Sequence, residues 1–208
     1  MSSEHPLLER AISLEGDKNR IQEFYNDWAD RYDTDMLQTI GYVAPSLTAE
    51  ALAARVAPDA YVLDAGCGTG LVGLELSNRS KALRIDGLDL TMGMLEEARK
   101  THIYNELVEG DLTAVLPIPD NTYDGIVSAG VFTNGHVGPQ GLDELVRIAK
   151  PKAPIVLTVR DSAWEADGFK DYIADLDAKG AVKTIEIVHS PYHTKEDIFC
   201  QLCVLEVV

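Results

Sequence analysis

Cations are scarce in this sequence. Lys and Arg number 18 against 34 Asp and Glu, which leaves a formal net charge of −16 over 208 residues. So acidic a chain offers phosphate backbones and anionic lipid no electrostatic attraction, and neither a nucleic acid nor a membrane partner is expected. Long apolar runs are missing too. None approaches the ~18 residues of a membrane span, and the opening MSSEHPLLER lacks the basic-then-apolar order of a secretory signal, so a cytoplasmic protein is expected. Cysteine is rare, with only Cys67, Cys200 and Cys203. The C-x-x-C of Cys200 and Cys203 falls in an extended apolar tail, away from the helix N-terminus that activates a thiol, and reads as buried structural sulfur.

What is present is a 46% apolar chain long enough for one three-layer α/β core and too short for two comfortable domains. Residues 1–45 read as an N-terminal helical lid segment on a domain of residues 46–208. Within the lid, Phe24, Trp28 and Tyr32 recur every four residues, which predicts a helix over 23–32. Ser46 is the expected N-cap of a helix reaching about residue 56. Strands are expected near 61–64, 84–89, 106–109, 123–128, 154–160, 182–188 and 198–207, and helices near 71–78, 92–101, 140–149 and 164–178. This alternation implies a seven-stranded, mostly parallel Rossmann-like sheet with an antiparallel last strand and helices on both faces. Tyr192 and His193 are placed in a turn between the last two strands, near the rim of any pocket. The apolar strand from Cys200 to Val208 is a candidate dimer edge, so monomer and homodimer both stay open.

The segment from Tyr61 to Asp89 carries most of the functional information. A short apolar strand ends in Asp64 and Ala65, and Gly66, Gly68 and Gly70 then let the backbone turn and approach a ligand before a helix begins near Leu71. Gly68 to Gly73 also fits the dinucleotide pattern G-x-G-x-x-G, with Asp89 ending the next strand. Asp64 separates the two readings. A carboxylate at that strand tip would repel a pyrophosphate and attract an ammonium group, which favours S-adenosylmethionine over NAD.

At this point the chain resembles the class I S-adenosylmethionine-dependent methyltransferases. Gly87-Leu88-Asp89-Leu90-Thr91 with Met94-Leu95 looks like the family's second-strand motif, which implies that Asp89 takes the ribose hydroxyls, that the Met94-Leu95 pair starts a helix flanking the adenine, and that Leu90 also contacts the cofactor. Glu109-Gly110-Asp111-Leu112 looks like the third motif, whose Asp meets the adenine amino group. Tyr123 to Ser128 and Leu145 to Ala153 look like the fourth-strand motif and the segment after it, with Ala153 where the family commonly has Gly. A closer likeness is to the small methyltransferase-like proteins of the Williams–Beuren chromosome-region type, carried by Tyr25 to Asp33, by Gly41-Tyr42-x-Ala44-Pro45 and by Gly70-Leu71-Val72. This resemblance implies that Tyr25 contacts the methionine carboxylate.

In an open sheet of this kind the ligand sits outside the carboxyl ends of the strands. His136, after the fourth strand, is therefore the candidate base, with a substrate-contact role as the alternative. Trp28 and Tyr32 could form an aromatic lid over a cation, or simply pack their helix. Arg160 could receive a substrate carboxylate or pair with a nearby acid, and Phe132, Trp164 and Tyr192 complete the candidate acceptor contacts. Ser128-Ala129-Gly130-Val131 stands where amino-methyltransferases carry an acid, amide or serine followed by an apolar residue, proline and an aromatic. Methylation of base or glutamine amino groups is thus disfavoured. No Asp and Asn cluster suggests a metal. The expectation is methyl transfer to O, N or S of a small molecule. The alternatives are a cofactor-binding activator subunit that no longer catalyses, and a protein side-chain methyltransferase.

Overall fold

The computed structural model describes residues 16–80 and 82–208, together with Pro6, Arg10, Ala11, Ser13 and Leu14. Much of the first third of the expected lid segment lies outside the described residues. The elements run α1 (Lys18–Trp28), a π-helical segment (Thr34–Ile40), α2 (Ala44–Ala53), β1 (Tyr61–Ala65), α3 (Leu71–Arg79), β2 (Arg84–Asp89), α4 (Met92–Lys100) and β3 (Leu107–Glu109). They continue with β4 (Gly125–Phe132), α5 (Gly141–Ile148), β5 (Pro154–Arg160), α6 (Asp161–Ala166), α7 (Phe169–Ala178), β6 (Val182–His193) and β7 (Ile198–Val207). The sheet order is β3-β2-β1-β4-β5-β7-β6, with β7 antiparallel to both of its neighbours and the other pairs parallel. None of the described helices is long and apolar enough to cross a membrane.

Strand alternation divides the core in two. On one face Leu63, Ala65, Ile126, Phe132, Ile155 and Leu157 pack beneath α5, α6 and α7. On the other, Val62, Val127, Val156, Ile85 and Val204 pack beneath α1, α2 and α3. The aromatic stripe of α1 joins this second face through Phe24 and Trp28, both nearly sealed from solvent. Asp17 caps α1, accepting from the backbone N–H groups of Asn19 and Arg20.

Several local expectations are corrected. Ser46 is not an N-cap, because α2 already starts at Ala44, where Pro45 in the first turn fits a position that has no intrahelical N–H partner to lose. Ser46 Oγ instead accepts from Arg79 Nη2 at 3.0 Å. The single helix expected over 164–178 is split into α6 and α7, since Gly168 takes φ +76° before Phe169. Strand β6 runs five residues further than expected, so Tyr192 and His193 end a strand and are buried at 5% and 1% exposure. The sheet edge on this side is β6, not β7, which pairs on both sides.

One buried polar knot ties the sheet together. Asp86 on β2 is almost fully buried and accepts from the hydroxyls of Tyr61 and Tyr123, from Asn105 Nδ2 and from the Glu106 backbone N–H. Asp86→Ala leaves four donors without their acceptor, two of them on tyrosines whose rings meet at 4.9 Å with a 55° tilt. It should cost roughly 3–5 kcal/mol of stability, read as a lowered urea midpoint with an unchanged slope.

Candidate active site

The strand order reverses between β1 and β4, and there the carboxyl ends of β1, β2, β3 and β4 open into a cleft of about 860 Å³, counted with its mouth. Its floor is the glycine loop. Gly66 takes φ +76°, and a Cβ there would meet Val131 Cγ2 at 2.0 Å, so only glycine lets the loop after β1 close on the end of β4. Gly68 takes φ +54° with nothing within 4 Å of an added Cβ, which leaves its backbone open to a ligand in the cleft.

Asp89 at the tip of β2 holds this loop. Its Oδ2 accepts from the Gly68 N–H at 2.8 Å, and its Oδ1 accepts from the Thr91 N–H at 2.9 Å and the Thr91 hydroxyl at 2.7 Å. Burial pushes its pKa up, and those hydrogen bonds oppose the shift. Leu90, Met94 and Leu112 give the cleft an apolar slot, and Gly110 and Asp111 line its far end. Asp111 accepts from Thr113 and pairs with Lys18 Nζ at 3.3 Å.

Asp64 sits under the cleft rather than in its wall. Strand alternation turns it to the face of Val62, where Oδ2 accepts from the Tyr104 hydroxyl at 2.7 Å. Burial raises its pKa to about 7, with the Tyr104 hydrogen bond opposing and the charge of Asp89 adding to the rise. Ala65 is fully buried, and Gly70, at φ +100°, packs against Tyr104 and Thr101. Ser128 faces the other side of the sheet, donating to the Ala65 carbonyl at 2.7 Å.

The segment of residues 16–33 contacts the loop after each of the first four strands. Thr69 donates to Asp33 at 2.5 Å, Gln22 to the Leu90 carbonyl at 3.0 Å, and the Gly93 N–H to Asn26 at 2.7 Å. Lys18 reaches Asp111, and the Gly16 N–H donates to the Gly135 carbonyl at 2.8 Å. Of these residues only Asn26 and Asp33 lay inside a recognised motif, and their roles were not read from the sequence.

Behind the cleft lies a smaller chamber of about 400 Å³, counted with its mouth, and Tyr25, Tyr32, Gly130 and His136 line both spaces. Trp28, Arg160, Tyr192 and His193 line the chamber. Thus the candidate acceptor residues Trp28, Tyr32, His136, Arg160 and Tyr192 do come together. Phe132 and Trp164 do not: both belong to the opposite face, Phe132 against Phe169 at 5.8 Å between ring centroids. Arg160 reaches the chamber because it shares strand parity with Val156, whereas Phe132 shares it with Ile126.

His136 Nδ1 lies 2.9 Å from Thr133 Oγ1 and 3.2 Å from the Asn134 carbonyl. A carbonyl only accepts, so Nδ1 carries the proton and Nε2 accepts from the Tyr25 hydroxyl at 2.9 Å. Burial lowers the His136 pKa, the Asn134 bond opposes it, and the Arg160 charge lowers it further.

The family described as "Methyltransferase domain" matches residues 62–152. Human methyltransferase-like protein 27 is 36% identical over 144 residues, 67% of this chain and 58% of that protein. A demethylmenaquinone methyltransferase of Streptomyces avermitilis is 30% identical over 146 residues, 70% of this chain and 62% of its own length. The match thus spans about three fifths of these curated relatives. A TehB-like S-adenosylmethionine-dependent methyltransferase from Corynebacterium glutamicum superposes with a TM-score of 0.66 at 20% identity, covering 89% of this chain and 99% of that one, and shares the fold.

Asp64 gives a pH signature. Its folded pKa is raised above the unfolded value near 4, so the folded state holds a proton that the unfolded chain has lost, and stability falls as pH rises from about 4 to about 7. Asp64→Asn removes that fall. Its melting temperature relative to wild type should rise by roughly 5 °C between pH 5 and pH 8, measured by scanning fluorimetry, and a constant difference would exclude Asp64 as the titrating group.

Proposed function

Since the chain belongs to the class I S-adenosylmethionine-dependent methyltransferases, we propose that it transfers a methyl group to O, N or S of a small-molecule metabolite. The observation that carries this reading is the pair of adjoining spaces, a large cleft for the cofactor and a smaller, partly open polar chamber for the acceptor, which meet at Tyr25, Tyr32, Gly130 and His136. The residues present suit the cofactor. Gly66 and Gly68 leave room for its methionine end, Asp89 offers its carboxylate oxygens to the ribose diol, and Leu90, Met94 and Leu112 bracket the adenine beside Asp111. When bound, the cofactor supplies an electrophilic methyl group on a sulfonium centre. Asp64 and Asp89 supply negative potential beneath that cation.

The acceptor then needs alignment, exclusion of water and an outlet for any proton. Tyr25, Trp28 and Tyr32 cover the chamber, with ring centroids 4.8–6.4 Å apart, and keep water out. His136 presents a neutral imidazole whose Nε2 takes up the proton once the acceptor displaces the Tyr25 hydroxyl from it. A small acceptor is further supported by the relatives named for demethylmenaquinone.

Calorimetric titration with S-adenosylmethionine, S-adenosylhomocysteine and NAD tests the cofactor. Micromolar binding of the two adenosyl ligands and none of NAD is expected, and binding of NAD alone would overturn the proposal. Asp89→Ala should weaken S-adenosylhomocysteine binding by about 1–3 kcal/mol, some 5- to 150-fold in Kd. His136→Ala should lower kcat by about 10²- to 10⁴-fold and leave S-adenosylhomocysteine affinity within about twofold. Full turnover in that variant would remove His136 as the base.

A further inference from the structure

Three glycines crowd one tyrosine beneath the cleft. A Cβ added to Gly70, Gly73 or Gly87 would lie 3.2, 2.6 or 3.0 Å from a ring carbon of Tyr104, so the glycine loop, α3 and β2 leave a slot that this side chain fills. The slot ends at Asp64. Tyr104 donates to its Oδ2 at 2.7 Å, while Oδ1 is buried with no hydrogen-bond partner, in a residue at 0% exposure.

The surroundings of this carboxyl supply no cation. Its strand neighbours are Gly87 on β2 and Val127 on β4. The titratable groups that face it are Tyr104 from the loop after α4, Cys67 from the glycine loop and Asp89 from the tip of β2, together with the backbone N–H of Gly73 on α3. Tyr104 and Cys67 stay neutral, both pushed up by burial and then by the charge of Asp64. An ionised Asp64 is therefore a charge without a counterion under the floor of the cleft. Its Oδ1 is the atom that carries the proton in the neutral form, because Oδ2 accepts from Tyr104 in either form.

S-adenosylmethionine and S-adenosylhomocysteine share an adenosine, an ammonium and a carboxylate. They differ by the methyl group that makes the sulfur cationic, so a negative charge beneath the floor favours the first over the second. Resting on the reading of the cleft as the cofactor site, we propose that Tyr104 is a positioning residue that acts through Asp64, the pair holding a carboxylate ionised beneath the glycine loop so that the cleft prefers the sulfonium cofactor to its neutral thioether product. Transfer of the methyl group removes the cation and loosens the ligand that must leave.

The test is calorimetry on the full chain with each of the two ligands, over a pH series and in buffers of different ionisation enthalpy, which reads affinity and protons released together. Asp64 ionises as pH rises through about 7. The ratio of the S-adenosylhomocysteine Kd to the S-adenosylmethionine Kd should therefore rise by about 3- to 30-fold across that midpoint, and S-adenosylmethionine should release more protons on binding just below it. Tyr104→Phe keeps the ring and removes the bond that favours the ionised form, so the rise should move to higher pH. Asp64→Asn, in which Asp89 remains, should abolish both the rise and the difference in protons released. A Tyr104 that serves only as packing would leave the profile of Tyr104→Phe where the wild type has it, and that result overturns the inference. So does a flat wild-type ratio, or a rise that persists in Asp64→Asn, which decides the matter if Tyr104→Phe fails to fold. Binding of both ligands with a flat ratio removes this inference and leaves the cofactor reading standing, whereas binding of neither removes both.

Discussion

Everything at the working end of this molecule depends on a parallel sheet whose side chains must alternate between two covered faces. That alternation sends Val156 and Arg160 to the side roofed by α1, and Ile155, Leu157 and Val159 to the side roofed by α5 to α7. It also turns Asp64 beneath the glycine loop while Leu63 and Ala65 fill the opposite core. A shift of one residue in β5 would exchange Arg160 for Val159 in the chamber and leave a guanidinium in an apolar core.

The two spaces have opposite electrostatic characters. Beneath the cleft stand Asp64 and Asp89, both with pKa values raised by burial, and both therefore held at a cost that a cation repays. Around the chamber stand Arg160, a neutral His136 and a neutral His193. Tyr25 lies at the boundary and bonds to His136 across it.

The glycine floor of the cleft was legible in the sequence because its signals are local. The spacing of Gly66, Gly68 and Gly70 and the acid at position 89 need only one strand, one turn and the next strand to have meaning. The acceptor half was less legible because it is assembled from distant segments. Arg160 and Tyr192 could be nominated by their place near strand ends, yet Phe132 and Trp164 were nominated on the same ground and face the other way. Tyr192 and His193 were placed near the rim but in a turn, because the register shift between Pro191 and His193 breaks the alternation that would have extended the strand through them. Tyr104 and Lys18 carried no motif at all, since a single hydrogen bond to Asp64 or a single ion pair to Asp111 leaves no pattern along the chain.

The segment of residues 16–33 is sewn to the loops after β1, β2, β3 and β4, by Asp33, by Gln22 and Asn26, by Lys18 and by Gly16. Each stitch is a single polar contact worth about 1 kcal/mol, so none alone bars the way. Because all are borne by one short stretch of chain, they open together or not at all. The consequence is mechanical: a route into the cleft on this side has to part several of these contacts at once, because one backbone segment carries them all.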